Sequence, residues 1–267
     1  MSLLADILAV KASEVDRLRA RKRAPSSRAP IDVVGALRRE PAGPLRLVAE
    51  VKLRSPSAGP LSRALAPGER ALAYAEAGAA MVSVLCDAQF FDGAWEHVTA
   101  ARARLDRAER RVPVLAKEFV VDERQIEEAL DRGADAVLLI ARIVSPARLV
   151  QLARAALQMG IEPLVEIVDE PELASASEAG ARILGVNARD LDTLQMDAAR
   201  AARVLAAVPP GVVSVHLSGL RTSADVASVA HTTGRRPDAA LIGEALMRDD
   251  DPRERLGAMV TAAASRP

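Results

Sequence analysis

The chain has 267 residues, of which 50% are apolar and only 2% are aromatic. Its 36 basic residues equal its 36 acidic residues in number, so no overall field favours a nucleic acid or an anionic membrane as a partner. The single cysteine, Cys86, excludes an internal disulfide, and no apolar run has the length of a membrane-spanning helix. These features predict a cytoplasmic protein with an aliphatic core.

Residues 1–44 precede the first predicted strand. Met1–Arg23 is amphipathic but carries acidic residues, which secretory signals and transit peptides lack. The pattern predicts a leading helix here, then a Pro-, Ser- and Arg-rich link over Ala24–Pro30, then a short helix near Val33–Arg39.

From residue 45 onward, short apolar runs alternate with longer segments whose apolar residues recur at helical spacing. The predicted strands are Leu45–Lys52, Ala80–Leu85, Val112–Lys117, Ala134–Ile140, Glu162–Val168, Arg182–Asn187, Val212–Ser218 and Asp238–Ile242. The helical pattern is clearest in Glu69–Ala77, Asp122–Arg132, Ser145–Met159 and Ala198–Val208.

Eight consecutive βα units are typical of the α/β class and predict a (β/α)₈ TIM barrel with an N-terminal helical extension, as one domain over residues 1–267. The alternative, an open doubly wound sheet, is disfavoured because no Gly-x-Gly-x-x-Gly turn follows the first strand. Candidate helix N-caps are Asp122, Ser145 and Ser223, and Gln125 completes a capping box with Asp122.

Polar residues end several of the apolar strands: Glu50, Lys52, Lys117, Glu166 and Asn187. Charges inside a barrel strand are costly, whereas the carboxyl-end rim is where barrel enzymes place their catalytic groups. Side chains alternate along a strand, so Glu50 and Lys52 share a face. We interpret the five residues as a catalytic cluster; a rim network of paired charges without a catalytic role is the alternative.

A second polar cluster predicts a phosphate site. Ser218 and Gly219 follow the seventh strand, and Gly243 and Glu244 follow the eighth and open a helix. Loops at these two places in a barrel often bind phosphate through backbone N–H groups. Simple turn glycines are the alternative interpretation.

The loop after the first strand, residues 53–67, is the longest βα loop and is rich in Ser, Pro and Gly. This composition is typical of a segment that closes over a ligand. Arg54 and Ser55 are its candidate donors to an anion.

The three histidines lack the spacing of metal ligands, so we predict no metal site. His97 and His231 are expected on helix surfaces. His216 lies two residues before Ser218, which suggests an inward orientation, and we interpret it as a packed neutral side chain. Cys86 is expected to be a small buried apolar residue.

Taken in order, these segments resemble the indole-3-glycerol phosphate synthase family of tryptophan biosynthesis. The most specific segment is Glu50–Gly59, which is similar to the family's Glu-x-Lys-x-x-Ser-Pro-Ser-x-Gly signature. The other similar segments are Val82–Asp87, Phe90–Gly93, Pro113–Phe119, Leu164–Glu166, Gly185–Leu191 and Ser218-Gly219. The leading helix resembles the family's extension, which implies that residues 1–44 cover the barrel mouth.

The resemblance implies ring closure of 1-(2-carboxyphenylamino)-1-deoxyribulose 5-phosphate, with loss of CO₂ and water, by a carbon–carbon lyase that uses no metal or organic cofactor. It implies that Lys117 protonates the developing alkoxide and that Lys52 holds the substrate carboxylate and serves in dehydration. Glu50 and Glu166 would stabilise cationic intermediates or act as the base, and the choice between them stays open. Asn187 would fix the substrate hydroxyls.

The resemblance also implies a binding set around the substrate. Its phosphate would meet Ser55, Ser218, Gly219 and Gly243. Its aromatic ring would lie between Phe91, Phe119 and Leu139, and Arg189 and Glu244 complete the set. A small phosphorylated molecule is thus the expected ligand, and the chain is expected to act as a monomer or a weak homodimer.

Four positions depart from the family's pattern. Leu217 stands where a glutamate is usual, Glu118 where an aspartate follows the catalytic lysine, Ala58 where a lysine is frequent and Ala94 where a serine is frequent. Two other functions therefore stay open: a phosphoribosylanthranilate-type isomerase, which the Glu-x-Lys of the first strand disfavours, and a ligand-binding barrel that has lost turnover.

Overall fold

The structure is a computed structural model that describes residues 3–18, 29–190, 193, 195–232 and 234–264. Eight parallel strands close into one barrel, each hydrogen-bonded to the next along the chain, and the last pairs with the first. The strands are β1 (Arg46–Val51), β2 (Met81–Leu85), β3 (Val114–Lys117), β4 (Ala136–Ile140), β5 (Glu162–Ile167), β6 (Ile183–Asn187), β7 (Val213–Leu217) and β8 (Ala239–Ile242). The prediction of a (β/α)₈ TIM barrel is confirmed.

Helices surround this barrel and connect its strands. Those in the described part of the chain are α1 (Leu3–Val15), α2 (Val33–Leu37), α3 (Pro67–Glu76), α4 (Ala88–Phe91), α5 (Trp95–Arg107), α6 (Glu123–Asp131), α7 (Pro146–Met159), α8 (Glu170–Glu178), α9 (Ala198–Ala207), α10 (Ser223–Ala230), α11 (Glu244–Met247) and α12 (Arg253–Ala264). Within the described ranges, no helix combines the length and the apolar character needed to cross a bilayer.

Two of the three predicted helix N-caps are confirmed, and one is wrong. The Asp122–Gln125 capping box and the Ser145 cap are both present. The prediction for Ser223 is wrong, because Thr222 caps α10 and forms a capping box with Asp225. A carboxylate three residues after Thr222 supplies the reciprocal bond, which leaves Ser223 as the first helical residue.

Alternation along the strands divides the core into two layers. Val48, Leu115 and Val215 belong to a cluster inside the barrel. Val51 and Val84 belong to a larger cluster between the barrel and its surrounding helices. The parity of a residue on its strand therefore decides whether it can face the barrel's interior.

The two described helices of the N-terminal extension contact the barrel at its two ends. Leu4 and Ile7 of α1 lie at the carboxyl ends of the strands, and Val33 and Leu37 of α2 join the interior cluster. Arg39, which follows α2, donates to Asp238 at the start of β8 and to the carbonyl of Ala230. The predicted helix Met1–Arg23 is described from Leu3 to Val15, and most of the predicted link Ala24–Pro30 lies outside the described residues.

Candidate active site

A cavity of about 540 Å³ opens at the carboxyl ends of the strands, under α1. It is lined by every residue of the predicted catalytic cluster and substrate-binding set except Leu139, and it is not lined by Arg54, the other candidate donor of the loop after β1. Those that line it are Glu50, Lys52, Ser55, Phe91, Lys117, Phe119, Glu166, Asn187, Arg189, Ser218, Gly219, Gly243 and Glu244. The topology thus brings together residues that are up to 194 positions apart, from Glu50 to Glu244.

The exception is Leu139, whose assignment to the aromatic wall is wrong. Its side chain lies in the outer layer of the core, between β4 and the helices. Its neighbours Leu138 and Ile140 have the opposite parity and line the cavity instead. Because one position along a strand reverses the side chain's direction, the error is a shift of one residue.

The inward orientation suggested for His216 is wrong, because it was inferred from Ser218, which follows the end of β7 with φ 73°. Val215 and Leu217 lie inside the barrel, so His216 faces the helices from β7 rather than the cavity. Burial lowers its pKa, which favours the neutral side chain. Leu217 itself is buried inside the barrel next to Gly185, and it does not line the cavity.

Glu50 lies at the centre of the site and binds both lysines. Its Oε1 is 2.8 Å from Nζ of Lys52, and its Oε2 is 2.7 Å from Nζ of Lys117. The carboxylate is buried, while the lysines remain partly exposed to the cavity. One carboxylate therefore holds two ammonium groups where a ligand can reach them.

The charges of this cluster fix its protonation states. Burial acts to raise the pKa of Glu50, but Lys117 and Lys52 outweigh burial and lower that pKa to about 2. Burial acts to lower the pKa of Lys117, but Glu50 and Glu166 raise it above its ordinary value. Glu50 is thus a carboxylate and Lys117 an ammonium throughout the neutral pH range.

Glu166 differs from Glu50 in its partners. Its Oε1 accepts a hydrogen bond from Nδ2 of Asn187 at 2.8 Å. Burial raises its pKa above the ordinary value, and the charge of Lys117 only partly opposes this. A carboxylate of raised pKa in a cavity can accept and return protons.

Asn187 connects this carboxylate to the phosphate-binding candidates. Its Oδ1 accepts from Oγ of Ser218 at 2.8 Å and from the N–H of Arg189 at 2.9 Å. Ser218 has φ 73° and Gly219 has φ 95°, so the backbone turns sharply after β7. The left-handed conformation at two successive residues suits a loop whose N–H groups face an anion.

Gly243 lies against the charged centre. A Cβ atom at this position would be 2.4 Å from Oε1 of Glu50 and 3.2 Å from Nζ of Lys52. Only glycine therefore lets the end of β8 approach the ion pair this closely. This contact joins the phosphate-binding candidates to the two lysines.

The loop after β1 folds into a small hairpin of Arg54–Ser55 with Gly59–Pro60. Oγ of Ser55 accepts from the N–H of Ala58 at 3.0 Å. The loop is fastened to its neighbour because Arg54 and Arg63 both pair with Asp92. Ser55 lines the cavity. Arg54 does not line the cavity, because its side chain pairs with Asp92.

A buried ion-pair cluster at the mouth was missed. Lys11 of α1 pairs with Asp87 after β2 and with Glu118 after β3. A signal was available, since Leu4, Ile7, Lys11 and Val15 follow one helical face and all four are buried. A lysine in such an apolar stripe indicates a buried partner of opposite charge.

Three comparisons with known proteins bear on this site. The family model described as indole-3-glycerol phosphate synthase matches residues 4–259. A protein of that name from Mycolicibacterium vanbaalenii is 41% identical over 243 residues, which are 91% of this chain and 84% of that protein. Another of that name, from Mycobacteroides abscessus, is 39% identical over 255 residues, which are 96% of this chain and 90% of that protein.

Two solved structures share the fold at lower sequence identity. A crystal structure of 3-hexulose-6-phosphate synthase has a TM-score of 0.63 at 18% identity and covers 82% of this chain and 99% of its own. A thiamine phosphate pyrophosphorylase from Pyrococcus furiosus has a TM-score of 0.61 at 15% identity, with 82% and 95% covered. At this identity the likeness shows the barrel alone. Because the family model spans residues 4–259 and the named relatives are about 40% identical, the chain belongs to the indole-3-glycerol phosphate synthase family.

Proposed function

We propose that the cavity carries out its family's ring closure and that Lys117 is the acid that starts it. The reaction converts 1-(2-carboxyphenylamino)-1-deoxyribulose 5-phosphate to indole-3-glycerol phosphate, CO₂ and water. A carbon–carbon bond forms between the ring carbon that carries the carboxylate and the ketone carbon. The carboxylate leaves as CO₂, and the former ketone oxygen leaves as water.

Lys117 is the proton donor to the ketone oxygen in this proposal. As the ring carbon attacks, that oxygen develops negative charge and becomes basic enough to take a proton from an ammonium. The raised pKa of Lys117 keeps the ammonium charged until then. The ion pair with Glu50 fixes the direction of its Nζ.

Lys52 is the second cation, and it faces the substrate carboxylate. It shares the Glu50 carboxylate with Lys117, so both ammonium groups are held at one place. After CO₂ has left, the same ammonium lies near the hydroxyl that must depart and serves as the acid in dehydration. Lys117 is thus the acid in ring closure, and Lys52 is the acid in dehydration.

Glu166 is the base that removes the last proton, and Glu50 is not. A carboxylate with a pKa of about 2 that is bound by two lysines has little tendency to take a proton. Glu166 has a raised pKa and accepts a hydrogen bond from the neutral amide of Asn187. This difference in environment supports Glu166 rather than Glu50 as the base, a choice that the sequence left open.

The rest of the cavity binds the substrate's two ends. Ser55, Ser218, Gly219 and Gly243 bind the phosphate, with Arg189 and Glu244 beside them, and Asn187 orients the sugar hydroxyls. Phe91 and Phe119 form the aromatic wall, since their ring centroids are 6.1 Å apart. Leu138 and Ile140 complete that wall in place of Leu139.

One observation carries the proposal: Glu50 bridges two lysines inside a cavity that is also lined by the rings of Phe91 and Phe119 and by Gly219 and Gly243. The alternative of a barrel without turnover rests on Leu217, which lies beneath the cavity and leaves both lysines and both glutamates in place. The isomerase alternative lacks a cysteine or aspartate base on β1.

The test is to supply the carboxyphenylamino substrate and, separately, phosphoribosylanthranilate to the purified chain. Indole fluorescence and an equal yield of CO₂ from the first compound alone would support the proposal. Isomerisation of the second compound, or binding of the first without any product, would contradict it.

We further propose that the chain acts in the cytoplasm without nucleic acid or a cofactor, as a monomer or weak homodimer. The balanced charge supports the absence of nucleic acid, since 36 basic and 36 acidic residues leave no net positive charge. Within the described ranges, no cluster of three or more His, Cys, Asp or Glu residues could hold a metal ion. Light scattering across protein concentrations, and activity after chelation, test these points.

A further inference from the structure

Lys11 is a buried cation that does not line the cavity. Its Nζ lies 2.7 Å from Oδ2 of Asp87, 2.9 Å from Oε1 of Glu118 and 2.7 Å from Oε2 of Glu14. The side chains of Asp87 and Glu118 are also buried. One ammonium on α1 thus joins two βα loops of the barrel, those after β2 and β3.

Each of these two carboxylates also holds the backbone of an aromatic residue. Oδ1 of Asp87 accepts from the N–H of Phe90 at 2.7 Å and from that of Phe91 at 3.2 Å. Oε1 of Glu118 accepts from the N–H of Phe119 at 2.7 Å. Lys11 is therefore connected to the backbone of both Phe91 and Phe119 through a single carboxylate in each case.

The same helix contributes directly to the cavity, and its Leu4 and Ile7 belong with Phe119 to one apolar cluster, against which Phe91 packs. Leu4 and Ile7 line the cavity and lie on the same helical face as Lys11. An ammonium buried with three carboxylates is strongly held, because its removal would leave at least two carboxylates buried without a cation. The ion pairs therefore fix the position of Leu4 and Ile7 together with that of the two rings.

We infer that Lys11 is a positioning residue for recognition of the substrate's aromatic ring: through Asp87 and Glu118 it sets Phe91 and Phe119, and through α1 it closes the cavity over them. This inference rests on the proposed function. It assigns Lys11 no contact with the substrate and no effect on the phosphate end, where Ser218, Gly219 and Gly243 lie.

The separation of the two ends gives a specific test. Lys11→Met removes the charge and keeps most of the side chain's length. We expect its KM for the carboxyphenylamino substrate to rise about tenfold or more, because the ring end loses its defined shape. The inhibition constant of ribulose 5-phosphate, which has the sugar phosphate but no ring, should stay within about twofold of the wild-type value.

Three further variants make the test independent of folding. Glu118→Gln retains an oxygen that can accept from Phe119 but loses the charge that Lys11 binds, so it should shift the same KM in the same direction. The double variant should show less than the product of the two single effects, because both disrupt one contact. Arg17→Met is the matched control, since Arg17 is an exposed cation in the same segment, and it should leave both constants unchanged.

An unchanged KM in Lys11→Met, or an equal weakening of substrate and ribulose 5-phosphate, would overturn the inference. Hydrogen exchange separates this failure from failure of the proposed function. If wild type gives no indole product, faster exchange in residues 3–15, 87–91 and 118–119 of Lys11→Met would still support Lys11 as the positioning residue. Unchanged exchange in those segments would count against it.

Discussion

Glu50 and Lys117 form an ion pair 2.7 Å long between the ends of β1 and β3, which lie on either side of β2, and the second oxygen of Glu50 holds Lys52. The two lysines are therefore placed by one carboxylate. The chemistry proposed for this site depends on that carboxylate's charge more than on its ability to take a proton.

Glu50→Gln should lower kcat by about 100-fold. The neutral amide no longer attracts Lys117, so the pKa of Lys117 falls and the alkaline limb of the kcat profile moves to lower pH. Steady-state kinetics between pH 6 and roughly 10 measure both effects. Glu162→Gln is the control, because Glu162 is a buried glutamate paired with Arg182 at the opposite end of the barrel. An alkaline limb that stays in place in Glu50→Gln would contradict the dependence of Lys117 on Glu50.

The fall of kcat/KM on the acidic side of its pH profile, the acid limb, should come from protonation of Glu166. A base works only when it is deprotonated, so activity falls as pH falls through its pKa. Burial raises that pKa, which places the limb above the ordinary value of 4.5. Glu50, with a pKa of about 2, contributes nothing in this range. Glu166→Gln should remove the limb along with most of the activity. Persistence of the limb in the residual activity would exclude Glu166 as its source.

Gly243→Ala should damage the site without damaging the fold. The φ of Gly243 is −121°, outside the left-handed region that favours glycine, and the new Cβ would lie 2.4 Å from Oε1 of Glu50. We expect kcat/KM to fall by about tenfold or more, because the ion pairs must shift.

The matched control is Gly257→Ala in α12. A Cβ at this helical position meets nothing within 4 Å, so the change should stabilise the protein by roughly 0.5–1 kcal/mol and leave kcat/KM unchanged. Equal kinetics for the two alanine variants would show that the ends of β1 and β8 do not need their close contact.

Leu138→Ala and Leu139→Ala separate the two layers of the core. Both residues are buried on β4, so both changes should cost about 2–5 kcal/mol of unfolding free energy. Only Leu138 lines the cavity, so only its removal should raise the KM for the substrate. Denaturant unfolding and KM measured on both variants check this. A raised KM in Leu139→Ala would mean that Leu139 does contribute to the aromatic wall.

Most of the fold could be predicted from the sequence because each βα unit has its own apolar pattern. Strand ends were right within two residues, and the polar residues that follow them converge because parallel strands end together. Leu139 was misplaced because the continuous apolar strand β4 gives no sign of which parity faces inward. The orientation of His216 was wrong because it was inferred from Ser218, which lies beyond the end of β7. The apolar stripe around Lys11 indicates that this lysine has a buried partner. Its partners Asp87 and Glu118 lie more than 70 residues away along the chain, and no local pattern identifies them.

The most direct test compares indole formation from 1-(2-carboxyphenylamino)-1-deoxyribulose 5-phosphate by wild type and Lys117→Ala, measured by fluorescence at equal protein concentration. We predict product from wild type and a rate lower by about 100-fold or more in the variant, with substrate binding retained. Equal rates would exclude Lys117 as the acid. Saturable binding without product from wild type would mean that the barrel has lost its family's activity.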